Sequence, residues 1–193
     1  MITQPMNPFR VWAIDQHRNT NHLYDKIIPY EYHLHMVARE VVRHLEYAIA
    51  KGPVDTSKYP NTILGLSLIS QREILVDAAY GHDLIEDTRN TYNDVLQAGS
   101  GYEVARIIYA LTDEKGMNRA ERGSKEHYEK LVQVPGAAFV KFCDRIANAR
   151  YSKFAESSMF DKYKKEHPEF VKKCYMPGIE PYGLVATLDN LFA

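Results

Sequence analysis

Cysteine is scarce. The chain has two, Cys143 and Cys174, far apart and outside any C-x-x-C pair. That spacing argues against a disulfide framework or a thiolate zinc site, and for reduced thiols in a cytoplasmic protein. An excess of one charge sign is also missing: 24 Lys and Arg face 25 Asp and Glu, a net charge of −1. So balanced a chain has no broad electrostatic attraction to nucleic acid or an anionic membrane. No apolar run approaches the roughly 20 residues that span a bilayer. Met1–Pro5 lacks the basic and apolar regions of a secretory signal. Alternation at period two, the mark of half-buried strands, is rare as well. These absences leave the expectation of a cytoplasmic helical protein.

Apolar residues make up 45% and charged residues 25%, the profile of an ordinary globular chain long enough for a substantial core. Helical spacing begins at Phe9–Thr20. It is clearest over Tyr32–Lys51, where Val37, Val41, Leu45 and Ala48 share a face and Gly52-Pro53 ends the pattern. A long apolar segment starts between Thr62 and Ser67 and reads as helical through Ile85, with an acidic cluster in its last turn. Thr91 suits the N-cap of a helix over Tyr92–Ala98. Further helices are expected over Tyr102–Leu111, Lys125–Gln133, Ala137–Ser152 and Ser158–Cys174, with 54–61 and 112–124 as polar or charged connections. No repeat or linker divides the chain. The expectation is a single all-α domain over 1–193, a helical bundle with its core over about 8–175. Residues 176–193, with Pro177-Gly178 and Pro181, read as an irregular tail.

Chemistry concentrates at His82-Asp83-Leu84-Ile85-Glu86-Asp87. On a continuous helix, residues three and four apart share a face, so His82 and Asp83 would sit one turn below Glu86 and Asp87. Such a face suits a metal site with a general acid/base beside it. A mixed nitrogen and oxygen site needs further donors from other helices. His33 and His35 open the second helix, and Asp144 lies in an otherwise apolar one, between Val140, Phe142 and Ile146. A carboxylate there is costly to bury unless bound to metal or paired, with Arg145 and Lys141 as the local pairing candidates.

Three blocks in order resemble the alarmone hydrolases of the HD-domain phosphohydrolase superfamily. They are Pro29-Tyr30-Glu31-Tyr32-His33, the stretch Ala78-Ala79-Tyr80-Gly81-His82-Asp83-Leu84-Ile85-Glu86-Asp87-Thr88, and Lys141-Phe142-Cys143-Asp144-Arg145-Ile146-Ala147-Asn148. Leu111-Thr112-Asp113 fits as well, and the likeness covers roughly 10–170. The resemblance implies an HD-domain helical bundle binding one divalent ion, usually manganese, through His33, His82, Asp83 and Asp144, with His35 a bystander. It implies that Glu86 and Asp87 position and deprotonate the attacking water. The reaction implied removes pyrophosphate from the 3′ position of guanosine tetra- or pentaphosphate, giving GDP or GTP.

The family's Arg-Lys pair ahead of the Pro-Tyr segment has no equivalent in Asn21-His22-Leu23-Tyr24-Asp25-Lys26-Ile27-Ile28. That leaves base preference open, adenine alarmones included, and makes Tyr24 (or His22) a candidate to stack on the base. Lys26, Lys115, Arg119 and Arg122 are candidates to reach phosphates, Asn148 matches the family's nucleotide-side asparagine, and Tyr163 is a candidate pocket wall. The alternative is an HD phosphohydrolase acting on a nucleoside 5′-monophosphate or a dinucleotide cofactor phosphate. The partner expected is a small nucleotide, with no nucleic acid or membrane; oligomeric state stays open.

Overall fold

The computed structural model describes residues 7–52, 68–113, 125–134 and 136–193. The connection 54–61, the segment 62–67 and nearly all of 112–124, with Lys115, Arg119 and Arg122, lie outside the described residues. The fold is all-α. In chain order it runs α1 (Pro8–Asn19), a two-stranded ribbon of β1 (Leu23–Tyr24) and β2 (Ile28–Pro29), then α2 (Glu31–Lys51), α3 (Leu68–Gly81), α4 (Leu84–Asp87), α5 (Tyr92–Gln97) and α6 (Tyr102–Leu111). It continues with α7 (Lys125–Gln133), α8 (Ala137–Phe154), α9 (Met159–Cys174), a 3-10 turn (Pro177–Tyr182) and α10 (Leu184–Phe192).

Helix α2 is the axis of the bundle. Leu34, Val37, Ala38, Val41, Leu45 and Ala48 are buried at three- and four-residue spacing, the stripe a core-facing helix needs, and Gly52 ends it at φ 103°. One side of α2 packs on α3 and another on α8, while α9 and α10 cover α8 from outside. Helix α8 is buried through Phe139, Val140, Phe142, Cys143 and Ile146, so it forms the second wall of the core.

Three local expectations are corrected. The acidic cluster does not ride on one continuous helix: α3 stops at Gly81, His82 and Asp83 form a turn, and α4 restarts at Leu84. The cause lies in His82, whose ring Nδ1 donates to the Ala79 carbonyl at 2.8 Å and occupies the acceptor a continuing helix would use. Second, residues 23–29 form an antiparallel ribbon in register Leu23↔Pro29 and Tyr24↔Ile28. Its turn places Asp25 and Lys26 at φ 49° and 66°, so with no glycine it carries no hairpin signature. Third, the last eighteen residues are not irregular. Leu184, Leu188 and Phe192 recur at helical spacing and are buried, His44 Nδ1 donates to the Tyr182 carbonyl at 2.8 Å, and Phe139 meets Tyr182 edge-on. Pro177-Gly178 starts a 3-10 turn there rather than a tail.

Gly81 is a close-approach position. A Cβ there would overlap Ile108 Cδ1 and lie 3.0 Å from Ile108 Cγ1 and 3.3 Å from Phe9 Cζ, all in the core. Gly81→Ala is therefore expected to destabilise the fold by about 1–3 kcal/mol, the usual result of overpacking. A urea unfolding midpoint equal to wild type would contradict this.

Candidate metal centre

Four elements converge on one point. Tyr30 is the N-cap of α2 and His33 lies in its first turn. His82 and Asp83 come from the break between α3 and α4, and Asp144 projects from the middle of α8. His33 Nε2 lies 3.2 Å from His82 Nε2 and 3.2 Å from Asp144 Oδ1. Asp83 Oδ2 lies 2.8 Å from His82 Nε2 and 3.8 Å from His33 Nε2. One donor atom each from His33, His82 and Asp144 falls within 4.8 Å of the others. Both imidazoles are buried, and both carboxylates are mostly so.

Because a carbonyl only accepts, the bond to Ala79 fixes the proton of His82 on Nδ1 and turns the Nε2 lone pair towards His33. The His82 Nε2 lone pair therefore meets His33 Nε2 at 3.2 Å, a spacing that calls for a proton or another positive centre between or beside the two nitrogens. Without a metal ion a proton takes that role. Burial alone would lower the His82 pKa, but the carboxylates of Asp83 and Asp144 outweigh it and lift it to about 9. Burial alone would likewise raise both carboxyls. The surrounding groups reverse that, chiefly His82 for Asp83 and His33 for Asp144. Two nitrogens and two carboxylates poised around one positive charge are a fitting donor set for a divalent ion.

Around these four groups lies a supporting layer. The Tyr30 hydroxyl donates to Asp83 Oδ2, holding the carboxylate from outside. Asn148 Nδ2 donates to Asp144 Oδ1 at 2.6 Å, and its carbonyl accepts from the Tyr24 hydroxyl at 2.8 Å. Tyr24 lies flat on His33, with ring centroids 4.9 Å apart. Neither local pairing candidate forms a close ion pair with Asp144. Arg145 turns away to Glu166 at 3.1 Å and stacks over Phe170 and Tyr163. Lys141 lies largely buried in the combined field of Asp144, Asp113, Asp83 and Glu86, which overcomes burial and raises its pKa.

Glu86 and Asp87 stand at the rim, reaching the surface as residues while their carboxyls are partly shielded from solvent. Glu86 accepts from the Asp113 amide at 3.4 Å, and burial of its carboxyl with the nearby Asp113 and Asp83 raises its pKa. Asp87 is pushed up to about 7, first by burial of the carboxyl and then by Asp83 and Glu86. A carboxyl held near neutrality beside a donor cluster is poised to exchange a proton. Asp87 also lies 3.9 Å from His22 Nε2.

The remaining candidates fall unevenly. Tyr24 and Asn148 are within the cluster, and Tyr163 lies under the Arg145 guanidinium. Lys26 is exposed in the ribbon turn, away from any described partner. His35 points elsewhere, to the Tyr80 hydroxyl at 2.7 Å. Nothing in the residue pattern announces the Tyr30 contact or the ring column in which His22 and His17 stack on Tyr30, with centroids 3.7 and 4.6 Å away. Tyr30 sits inside the Pro-Tyr block, so only its motif position hinted at a role.

His17 gives this column a pH signature. Burial holds its pKa down at about 4, with Asp83 opposing. The folded protein keeps His17 neutral while the unfolded chain takes up a proton below 6.5, so stability is lost as pH falls from 6.5 towards 4. Asp87 and Glu86, raised in the fold, act in the opposite direction. Comparison with His17→Phe isolates the effect: wild type should lose roughly 3 kcal/mol more than the variant across that window. Urea midpoints of the chelator-treated proteins, equally acid-sensitive in both, would refute it.

No family model matches the chain. Among curated proteins it is 31% identical over 98 residues to the mouse and human guanosine-3′,5′-bis(diphosphate) 3′-pyrophosphohydrolases MESH1, covering 48% of this chain and 54% of theirs. The zebrafish protein of the same name is 34% identical over 76 residues, or 39% of this chain and 42% of that one. The chain thus matches about half the length of these relatives. A solved structure described as a metazoan ortholog of SpoT that hydrolyses ppGpp superposes with TM-score 0.59 at 21% identity, covering 98% of this chain and 96% of that one. The fold is therefore the all-α HD-domain fold. The likeness to alarmone hydrolases read from the three motifs extends to named relatives. Among the described residues no helix is long and apolar enough to cross a membrane.

Proposed function

We propose that this protein is a metal-dependent hydrolase that removes pyrophosphate from the 3′ position of ppGpp-type alarmones, yielding GDP or GTP. The observation that carries the reading is the pairing of a His-His-Asp donor cluster with two carboxyls of raised pKa at its rim. The 31% identity to proteins named for that reaction supports it. His33, His82, Asp83 and Asp144 would hold one divalent ion, manganese in this proposal. When bound, such an ion neutralises phosphoryl charge and makes water more acidic.

The chain's own residues do the rest. Asp87 and Glu86 orient the attacking water and take its proton. The water oxygen bonds to the phosphorus next to the ribose, the bond from that phosphorus to the 3′ oxygen breaks, and the oxygen leaves as a hydroxyl once protonated. Asp87, at about 7, is matched to both taking and returning a proton near neutral pH. Asn148 fixes the Asp144 carboxylate and Tyr24 together, and Tyr24, Tyr163 and Lys26 bound the nucleotide side. Lys115 and Arg122, from the charged connection, complete the proposed phosphate contacts. The reaction calls for a small nucleotide partner and a cytoplasmic setting.

A second reading, a phosphohydrolase for a nucleoside 5′-monophosphate or a dinucleotide cofactor phosphate, draws on the ring-rich Tyr24 and His22 where the family carries arginine and lysine. Purified protein with manganese, given 3′-pyrophosphorylated guanosine and adenosine nucleotides beside ordinary nucleotides, separates the two. Pyrophosphate release from at least one alarmone is expected. Release from none, with phosphate freed from a monophosphate, would replace the first reading by the second.

A further inference from the structure

Beyond the rim carboxylates lies a cavity of about 630 Å³. The end of α1 and the segment after α4 line it, with Gln16, Asn19 and Asn21 facing Asp87, Arg89 and Asn90. Asp87 belongs to both spaces: it forms one wall of the cavity and feels the charge of Asp83 in the donor cluster. The cavity therefore starts where the cluster ends.

Its lining is unusual for a face beside Glu86 and Asp87. Four of its nine lining residues carry amide side chains, and Arg89 is the one cation among the described lining residues. Asn90 Nδ2 is engaged with Gln16 Oε1 at 3.2 Å and Thr88 Oγ1 at 2.7 Å, which ties the two walls together. Arg89 is exposed, and among the described residues it makes no hydrogen bond, ion pair or ring contact, although two carboxylates are close in sequence. A guanidinium kept off adjacent carboxylates remains available for an anion, and its planar fork suits a phosphate.

We propose that Arg89 holds the distal phosphate of the 3′-pyrophosphate, both in the substrate and in the departing product. The proposal rests on the alarmone reading of the donor cluster. With the ribose-linked phosphorus at that cluster, the second phosphoryl group projects one P–O–P link further and needs charge neutralisation beside Glu86 and Asp87. Arg89 supplies that charge, and the Asn19, Asn21 and Gln16 amides supply neutral donors around it. The subsite distinguishes a pyrophosphate ester from a monophosphate ester, a distinction the donor cluster alone cannot make.

The test is calorimetric titration of inorganic pyrophosphate, and separately of inorganic phosphate, into the manganese-loaded protein at fixed free manganese. Arg89→Ala should weaken pyrophosphate binding by about 10- to 100-fold, as loss of a charge-assisted contact does, with Arg89→Lys in between and inorganic phosphate nearly unaffected. The inhibition constant for pyrophosphate and the KM for a 3′-pyrophosphorylated nucleotide should rise in parallel. Equal pyrophosphate affinity in wild type and Arg89→Ala, with turnover of alarmones intact, overturns the subsite and leaves the functional reading standing. Arg89-dependent pyrophosphate binding in a protein that hydrolyses no alarmone supports the subsite and overturns that reading.

Discussion

Glu86→Gln is expected to lower alarmone turnover by about 10²- to 10⁴-fold, the usual contribution of a positioned general base, while manganese content stays at the wild-type level. The side chain stands at the rim rather than among the donors, and the Asp113 amide that it accepts from can still be accepted by a glutamine carbonyl. Geometry is thus preserved and basicity removed. Asp87 sharpens the expectation. With its carboxyl at about 7, the wild-type rate should climb with pH as the proton leaves and level off above neutrality, and Asp87→Asn should remove that limb. Metal loss in Glu86→Gln, read by elemental analysis, would show that the residue is a ligand and that the roles are misassigned.

Asp144→Asn should act on the opposite quantity. Its carboxylate faces His33 Nε2 at 3.2 Å and is steadied by Asn148, so removing the charge weakens the donor set at its centre. Metal affinity should fall by at least about 100-fold, beyond what disturbing an outer partner does, and turnover should collapse with it. The proton that stands in for the metal is affected too, since Asp144 is one of the charges lifting His82 to about 9. Retained manganese affinity in this variant would remove Asp144 from the donor set. The two variants therefore divide the site: one loses chemistry and keeps metal, the other loses metal first.

The residues that cluster were legible in the sequence because their types are out of place in their surroundings. Asp144 between Val140, Phe142 and Ile146, and His82-Asp83 at the end of an apolar run, have no cheap apolar explanation. Helices were legible wherever one face is buried for several turns, as in α2. What the sequence hid was shorter than one period. The turn at His82-Asp83 depends on a side chain capturing the Ala79 carbonyl, and the ribbon of two-residue strands is too brief to alternate. The C-terminal helix was masked by two prolines that initiate a turn instead of ending structure. Arg89 was invisible for another reason: its freedom from Glu86 and Asp87 is a matter of direction in space, and spacing along the chain implies the reverse.

The contact of Gly81 with Ile108 has a consequence for how this protein can change over generations. The glycine precedes the His82-Asp83 pair, so whatever strains it is felt next to the donors. A larger residue can enter at 81 only after 108 has shrunk, and a shrunken 108 beside glycine leaves a void. The two positions are bound into an ordered double step, first through the void and then through its filling. Lineages that accept the first step acquire freedom at 81 that others lack.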